Sequence, residues 1–161
     1  NKIKVLFMDS GNSYLTEHVT KIIKANKNNK ELFFFHPLSY GKFKNSFAVP
    51  NNELLTDYVS SADLIIARPG FNTITSILKQ SKPVIYIIDL ENPELYWNIH
   101  ELQSLGLCHS TTLKNLENNF TTIIQNKLEM HSRNNIHNEI RSRFKFDGEK
   151  LIAEKIKSYL C

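Results

Sequence analysis

Short apolar runs, separated by stretches of helical period, constrain this chain more than any other feature. Ile3 to Met8, Leu64 to Ala67 and Val84 to Ile88 are apolar almost throughout instead of alternating with polar residues. Strands of that kind are buried on both faces. Leu15, Val19, Ile22 and Ile23 recur at helical spacing after the first run, and Phe71, Ile74, Ile77 and Leu78 after the second. Such strands, alternating with helices, specify a parallel sheet covered on both sides.

Taken in order, Ile3 to Met8 is a strand, Asp9-Ser10-Gly11-Asn12-Ser13 a polar turn, and the segment after it a helix that Ser13 can cap, with Glu17 in its opening turns. Glu31 to His36 reads as a strand, Pro37 to Asn45 as a loop, and Ser46 to Val49 as a short strand stopped by Pro50. A short helix is expected over Glu53 to Ser60. Leu64 to Ala67, the turn Arg68-Pro69-Gly70 and a helix over 71–78 follow, then a break at Ser81-Lys82-Pro83 and the strand Val84 to Ile88. The loop Asp89 to Glu94 leads to a helix from Leu95 to Leu105 that stops at Gly106. Leu107 to His109 is the expected last strand. Helices are expected over 113–126, 129–143 and 148–160, the last capped by Asp147.

This order describes a Rossmann-like open parallel sheet flanked by helices, with residues 1–161 forming a single domain. In such sheets ligands bind outside the carboxyl ends of the strands, where the strand order reverses. Asp9 to Ser13, Arg68 to Asn72 and Asp89 to Glu94 all fall at that end. A helix opened by glycine after a buried strand presents free N–H groups and a positive dipole end, and the obvious ligand is a phosphate. The first loop is weaker as a phosphate loop, because it carries one glycine where a dinucleotide fingerprint needs three.

Composition narrows the function. The formal charge is +4, with lysine and arginine dense between Arg133 and Lys157. Only Phe144 and Phe146 interleave with those charges, around Lys145, too few for a nucleic-acid platform, so a solvated surface fits better. No apolar run is long enough to span a bilayer, and the basic start leads into a strand and not a signal peptide, so a cytoplasmic protein is expected. Asn1 instead of Met at the start suggests an excised domain or a trimmed chain. Cys108 and Cys161 are expected to be unpaired thiols, and His100, His109, His131 and His137 lack metal-ligand spacing. His36, before Pro37, reads as a loop histidine without a catalytic partner.

Ala62-Asp63-Leu64-Ile65-Ile66, Arg68-x-Gly70-x-x-Thr73-Ile74, Lys82-Pro83 and Tyr96-Trp97-Asn98 together form a further pattern. It resembles the carboxyl-terminal half of GT-B glycosyltransferases of the MurG-like kind, glycosyltransferase family 28, which transfer N-acetylglucosamine from UDP to a lipid-linked acceptor. The likeness is strong over about forty residues, and element order extends it over the whole chain. Asp9-Ser10-Gly11-Asn12 matches the family's first glycine-rich loop.

The resemblance implies a nucleotide-sugar donor site, with its diphosphate at the helix after Arg68 to Gly70, Phe47 to Val49 beside the base, and Glu94 to Asn98 near the sugar. The substrate-binding set is then Gly11, Asn12, Phe47, Val49, Arg68, Gly70, Phe71, Asn72, Thr73, Ser76, Glu94 and Asn98. No cofactor is implied, since the UDP-sugar is a substrate, and no metal, in keeping with the lack of an Asp-x-Asp pair in the sequence. The implied partner is an amino-terminal GT-B half, in the same chain or as a separate subunit. That half supplies the acceptor site and the catalytic base, and with it peripheral membrane association at the inner face. Alone, this chain is not expected to catalyse transfer. Three positions depart from the pattern: Ser76 stands where the family has an acid on the helix, Glu94-Leu95 where it has glutamines, and Pro69 where it has serine.

Each candidate has a plainer reading. Gly70 can be a turn glycine, and Arg68 can pair with a surface carboxylate instead of a diphosphate. Thr73 and Asn72 can bond to ligand or backbone, and Glu94 and Asn98 can be a solvated helix face. Trp97 is expected in the core instead of stacking on a sugar, and the 71–78 stripe is expected to be core. Besides a donor-binding glycosyltransferase half serving cell-envelope polysaccharide synthesis, two alternatives stay open: a non-catalytic assembly module with a degenerate donor site, and a UDP-sugar hydrolase or epimerase half.

Overall fold

A computed structural model describes residues 2–9, 15–37, 41–50 and 55–133, together with 145 and 147. Six parallel strands form one sheet: β1 (Ile3–Met8), β2 (Leu32–Pro37), β3 (Ser46–Val49), β4 (Leu64–Ala67), β5 (Val84–Ile87) and β6 (His109–Thr111). The helices are α1 (Thr16–Ala25), α2 (Leu55–Ser61), α3 (Phe71–Gln80), α4 (Pro93–Ser104) and α5 (Leu113–Arg133). Strand order is β3-β2-β1-β4-β5-β6, so the chain works outward from β1 to one edge, then returns to build the other half from β4. The order reverses between β1 and β4, and the expected open parallel sheet flanked by helices is the fold observed.

Because side chains alternate along a strand, each apolar run feeds two cores. Val5, Phe7, Leu64, Ile66, Ile85 and Ile87 face α1 and α5 on one side. Phe7, Phe34 and Phe120 meet there, with ring centroids 5.9 to 6.3 Å apart. Leu6, Met8, Ile65, Ala67, Val84 and Tyr86 face the other side, with Val59 of α2, Ile77 and Leu78 of α3, and Ile99 and Leu102 of α4. Burial on both faces is why these strands read as continuous apolar runs.

The Ala62-Asp63 pair has a structural task. Ala62 is buried, while the Asp63 carboxylate accepts the Lys4 N–H at 2.8 Å and the Asp63 N–H donates to the Lys4 carbonyl at 2.9 Å. This reciprocal pair fixes where β4 starts against β1. Lys82 donates to the carbonyls of Ser60 and Ala62, which are at and just beyond the end of α2, where a cation also complements the helix dipole.

Several boundaries differ from expectation. The last strand lies at His109–Thr111, two residues later than expected, because Leu107 is drawn into the core as α4 closes. Helix α4 starts at Pro93 and not Leu95, since Asn92 accepts the Leu95 N–H as an N-cap and Pro93 suits the first helical turn. The expected helices 113–126 and 129–143 meet in α5, which runs through to Arg133 with a non-helical residue at Asn119. Helix α1 starts at Thr16 with Leu15 as N-cap and no side-chain cap, while Ser13 lies outside the described residues. The segment expected to form the last helix, 148–160, also lies outside them.

Candidate functional site at the carboxyl ends of the strands

Asp9, Arg68 and Asp89 follow β1, β4 and β5, adjacent strands in the sheet, so the loops after them open side by side. Asp9 accepts the Leu15 N–H at 3.3 Å, which ties the end of β1 to the start of α1. Arg68 turns inward. Its Nη2 donates to Asp89 at 2.5 Å, and the two residues are only 5% and 3% exposed. The other carboxylate oxygen of Asp89 accepts the Glu91 N–H at 3.1 Å. The carboxylate beside Arg68 is therefore buried and not on the surface, and the ion pair ties the loop after β4 to the loop after β5.

Gly70 sits above this clamp as the N-cap of α3. Its φ and ψ of −68° and 147° suit any residue, and a Cβ added there would meet only Thr73 Oγ1, at 4.0 Å. Neither backbone conformation nor internal packing requires glycine at this position. Its effect is to leave open the space above the first turn of α3. Gly70 has no side chain to cap that helix, and the N–H groups of Phe71, Asn72 and Thr73 have no acceptor among the described residues. The Gly70 N–H is already bonded to Arg68 O at 3.0 Å. Three donors at a helix dipole's positive end thus face open space, which is the arrangement that binds an oxyanion.

The remaining candidates divide by position. Asn98 of α4 donates to the Pro69 carbonyl at 2.8 Å and so holds the turn from the side. Asn72 is exposed and Thr73 half-buried, both in the first turn of α3; Ser76 is exposed further along that helix, and Glu94 is exposed in the first turn of α4. Phe47 lies on the edge strand β3, 44% exposed and stacked on Tyr58 at 6.1 Å, whereas Val49 is buried. Gly11 and Asn12 lie outside the described residues.

Two expectations about the core are corrected. Trp97 is 60% exposed and packs edge-on against Tyr96 and His100, because it lies on the side of α4 away from Leu95, Ile99 and Leu102. Phe71 is 71% exposed, so the stripe of α3 is core only at Ile77 and Leu78, with Ile74 half-buried. His36 belongs to β2 and not to a loop. It is fully buried, with Nδ1 against the Pro37 carbonyl and Nε2 against Ser46 Oγ, both at 2.9 Å, and burial lowers its pKa. Cys108 is a free thiol whose pKa burial pushes up to about 11, which disfavours the reactive thiolate.

Sequence reasoning missed Asp89 as the partner of Arg68. The signal was there, since a buried guanidinium needs a carboxylate and Asp89 ends the neighbouring strand.

The sequence matches the glycosyltransferase family 28 C-terminal domain over residues 7–156. The chain belongs to this family. A Helicobacter pylori UDP-N-acetylglucosamine–N-acetylmuramyl-(pentapeptide) pyrophosphoryl-undecaprenol N-acetylglucosamine transferase is 26% identical over 148 residues, covering 87% of this chain and 41% of that enzyme. Among solved structures, Acinetobacter baumannii MurG superposes with a TM-score of 0.69 at 17% identity, covering 98% of this chain and 50% of that one. The calicheamicin glycosyltransferase superposes with a TM-score of 0.71 at 13% identity, covering 99% and 42%. These superpositions show the GT-B carboxyl-terminal fold, and the chain spans half or less of each relative named. Within the family 28 domain, the turn at Gly70 lies at the carboxyl end of the strand that follows the topological switch. No helix among the described residues is long and apolar enough to cross a membrane.

Proposed function

We propose that this family 28 domain is the donor-binding half of a glycosyltransferase that moves a hexosyl or N-acetylhexosaminyl group from a UDP-sugar to a lipid-linked or saccharide acceptor. The observation that carries this reading is the turn at Gly70, where unbonded N–H groups and the positive end of α3 face a space that a glycine leaves open. The diphosphate binds at that turn. As the bond to the sugar breaks, negative charge grows on the leaving diphosphate, and fixed N–H dipoles stabilise it without having to reorganise.

Arg68 acts from beneath through its pairing with Asp89, which holds the turn in shape, and Asn98 holds it from the side. The exposed Phe47–Tyr58 stack suits the face of a base, Thr73 and Asn72 suit phosphate oxygens, and Ser76 suits a ribose hydroxyl. Glu94 lies beside the sugar. The acceptor site and catalytic base come from an amino-terminal GT-B half, in the same chain or as a partner subunit. The enzyme works in the cytoplasm, with its partner half at the inner face of the membrane. Binding to the lipid-linked acceptor is the task of that half.

Calorimetric titration with UDP and UDP-N-acetylglucosamine tests the proposal. Saturable binding that is lost in Gly70→Asp and weakened in Arg68→Ala is the expected outcome. Absence of heat for every nucleoside diphosphate and sugar conjugate at millimolar concentration overturns it. Product analysis with both halves assembled separates transfer from hydrolysis.

A further inference from the structure

A second polar cavity lies away from the turn at Gly70. It has a volume of about 210 Å³ and sits between β5, β6 and α5, with Ile85 and Ile123 as apolar wall and His109, Ser110, Asn126 and Lys127 among its polar lining. Ile85 and His109 are register partners, and Thr111 at the end of β6 also lines the cavity, which therefore runs along the edge strand β6, two strands from β4. Gly70 follows the carboxyl end of β4. Lys127 is fourteen residues along α5 from Leu113, about 20 Å of helix.

Lys127 is the unusual member. It is only 7% exposed, and it has no carboxylate partner and no hydrogen-bond acceptor among the described residues. A lysine that deep is ordinarily paired. Its pKa is lowered by burial, a direction that a bound anion would reverse. No carboxylate among the described residues lines the cavity. Ser110 shares the Tyr86 face of the sheet, where its Oγ accepts from Gln103 of α4 at 2.8 Å, so its hydroxyl points away from Lys127. Asn126 brings an amide, and His109, whose Nε2 lies 3.1 Å from Met130 Sδ, offers Nδ1 as a donor in its Nδ1–H tautomer.

We propose that this cavity is a small-oxyanion site, with the Lys127 ammonium as counter-charge and His109 and Asn126 as hydrogen-bond donors around a phosphate group. Its volume lies below the roughly 300 Å³ at which drug-sized sites begin, which fits a phosphate or a small phosphomonoester and not a sugar nucleotide. The site is separate from the donor turn in both position and composition. One uses backbone N–H groups, the other side chains.

Calorimetry and thermal unfolding with inorganic phosphate provide the test. The unmodified chain binds phosphate, with a rise in Tm as its concentration increases, and Gly70→Asp retains this response. Lys127→Met loses about tenfold or more in affinity, the scale of one charge-assisted hydrogen bond. His109→Ala, at an exposed residue that leaves the core untouched, also weakens binding. Glycerol 3-phosphate is titrated in parallel. Binding of both probes assigns a terminal phosphate group, and binding of inorganic phosphate alone assigns the free ion. The proposal is overturned if the unmodified chain shows no phosphate response, if Gly70→Asp abolishes it, or if Lys127→Met and His109→Ala leave it unchanged.

Discussion

Arg68 and Lys127 are both buried cations, 5% and 7% exposed, at different places along the same sheet, and the fold treats them differently. Arg68 has a buried carboxylate at 2.5 Å whose second oxygen is also bonded. Its charge is used inside the protein, to lock two loops in place beneath the turn at Gly70. Lys127 has no such partner among the described residues and lines an open cavity. A satisfied buried charge organises structure, whereas one without a counter-ion is held ready for something from outside. At the proposed donor turn the groups offered to a ligand are the backbone N–H groups above the ion pair. At the far cavity the cation itself faces the ligand.

The comparison can be broken most forcefully at Asp89. Asp89→Ala leaves the Arg68 guanidinium buried without its carboxylate, and should destabilise the fold by about 3–5 kcal/mol in chemical denaturation. The double variant Arg68→Met with Asp89→Leu should recover much of that stability while still weakening UDP binding. If Asp89→Ala unfolds at the same denaturant concentration as the unmodified chain, the clamp is not structural. Lys127→Met should have the opposite sign: in phosphate-free buffer, removal of a partly desolvated charge without a carboxylate partner should stabilise by about 1 kcal/mol. A loss of stability there would mean that Lys127 is already satisfied within the fold.

Gly70→Ala sharpens the contrast. Since φ is −68° and a Cβ has room, alanine should leave the free protein's stability within about 0.5 kcal/mol, the unfolded-chain gain offsetting a poorer N-cap, yet weaken UDP binding by intruding on the open space. A glycine needed only for the turn would show the reverse.

The subtlest effect belongs to His36, a buried polar group held neutral. Burial lowers its folded pKa, so its stabilising contribution is complete above the unfolded value of about 6.5 and is lost as pH falls through the folded value. Unfolding free energy measured from pH 8 down to pH 5 should therefore decline on the acid side. His36→Gln should flatten that slope, although His109, also lowered by burial, will retain a share of it.

Much of this molecule was legible in its sequence, for definable reasons. The strands Ile3–Met8, Ser46–Val49 and Leu64–Ala67 were read at their true bounds, because the apolar runs that make them end abruptly at turn residues. The convergence of loops at one sheet end followed from parallel topology alone. Positions set by partners distant in sequence were harder to read. Asp89 looked like loop polarity until β4 and β5 were paired. Trp97 read as core on apolarity, but its place on α4 is fixed by the buried line of Leu95, Ile99 and Leu102. Lys127 drew no notice in the sequence, since its burial depends on how α5 lies over β5 and β6.

The reciprocal bonds between Lys4 and Asp63 carry a consequence for how the chain assembles. Every contact of β1 with β2 joins residues about thirty positions apart, whereas its contact with β4 must bridge 59. A chain emerging from its amino end can pair β1 with β2 and β2 with β3 early, leaving the other edge of β1 open until residue 67 is available. The larger loop closure makes that second pairing the slower one. Asp63 supplies both a donor and an acceptor at the first contact of the late half, so it acts as the catch that sets register when the two halves of the sheet meet. Asp63→Ala should therefore slow refolding more than it speeds unfolding.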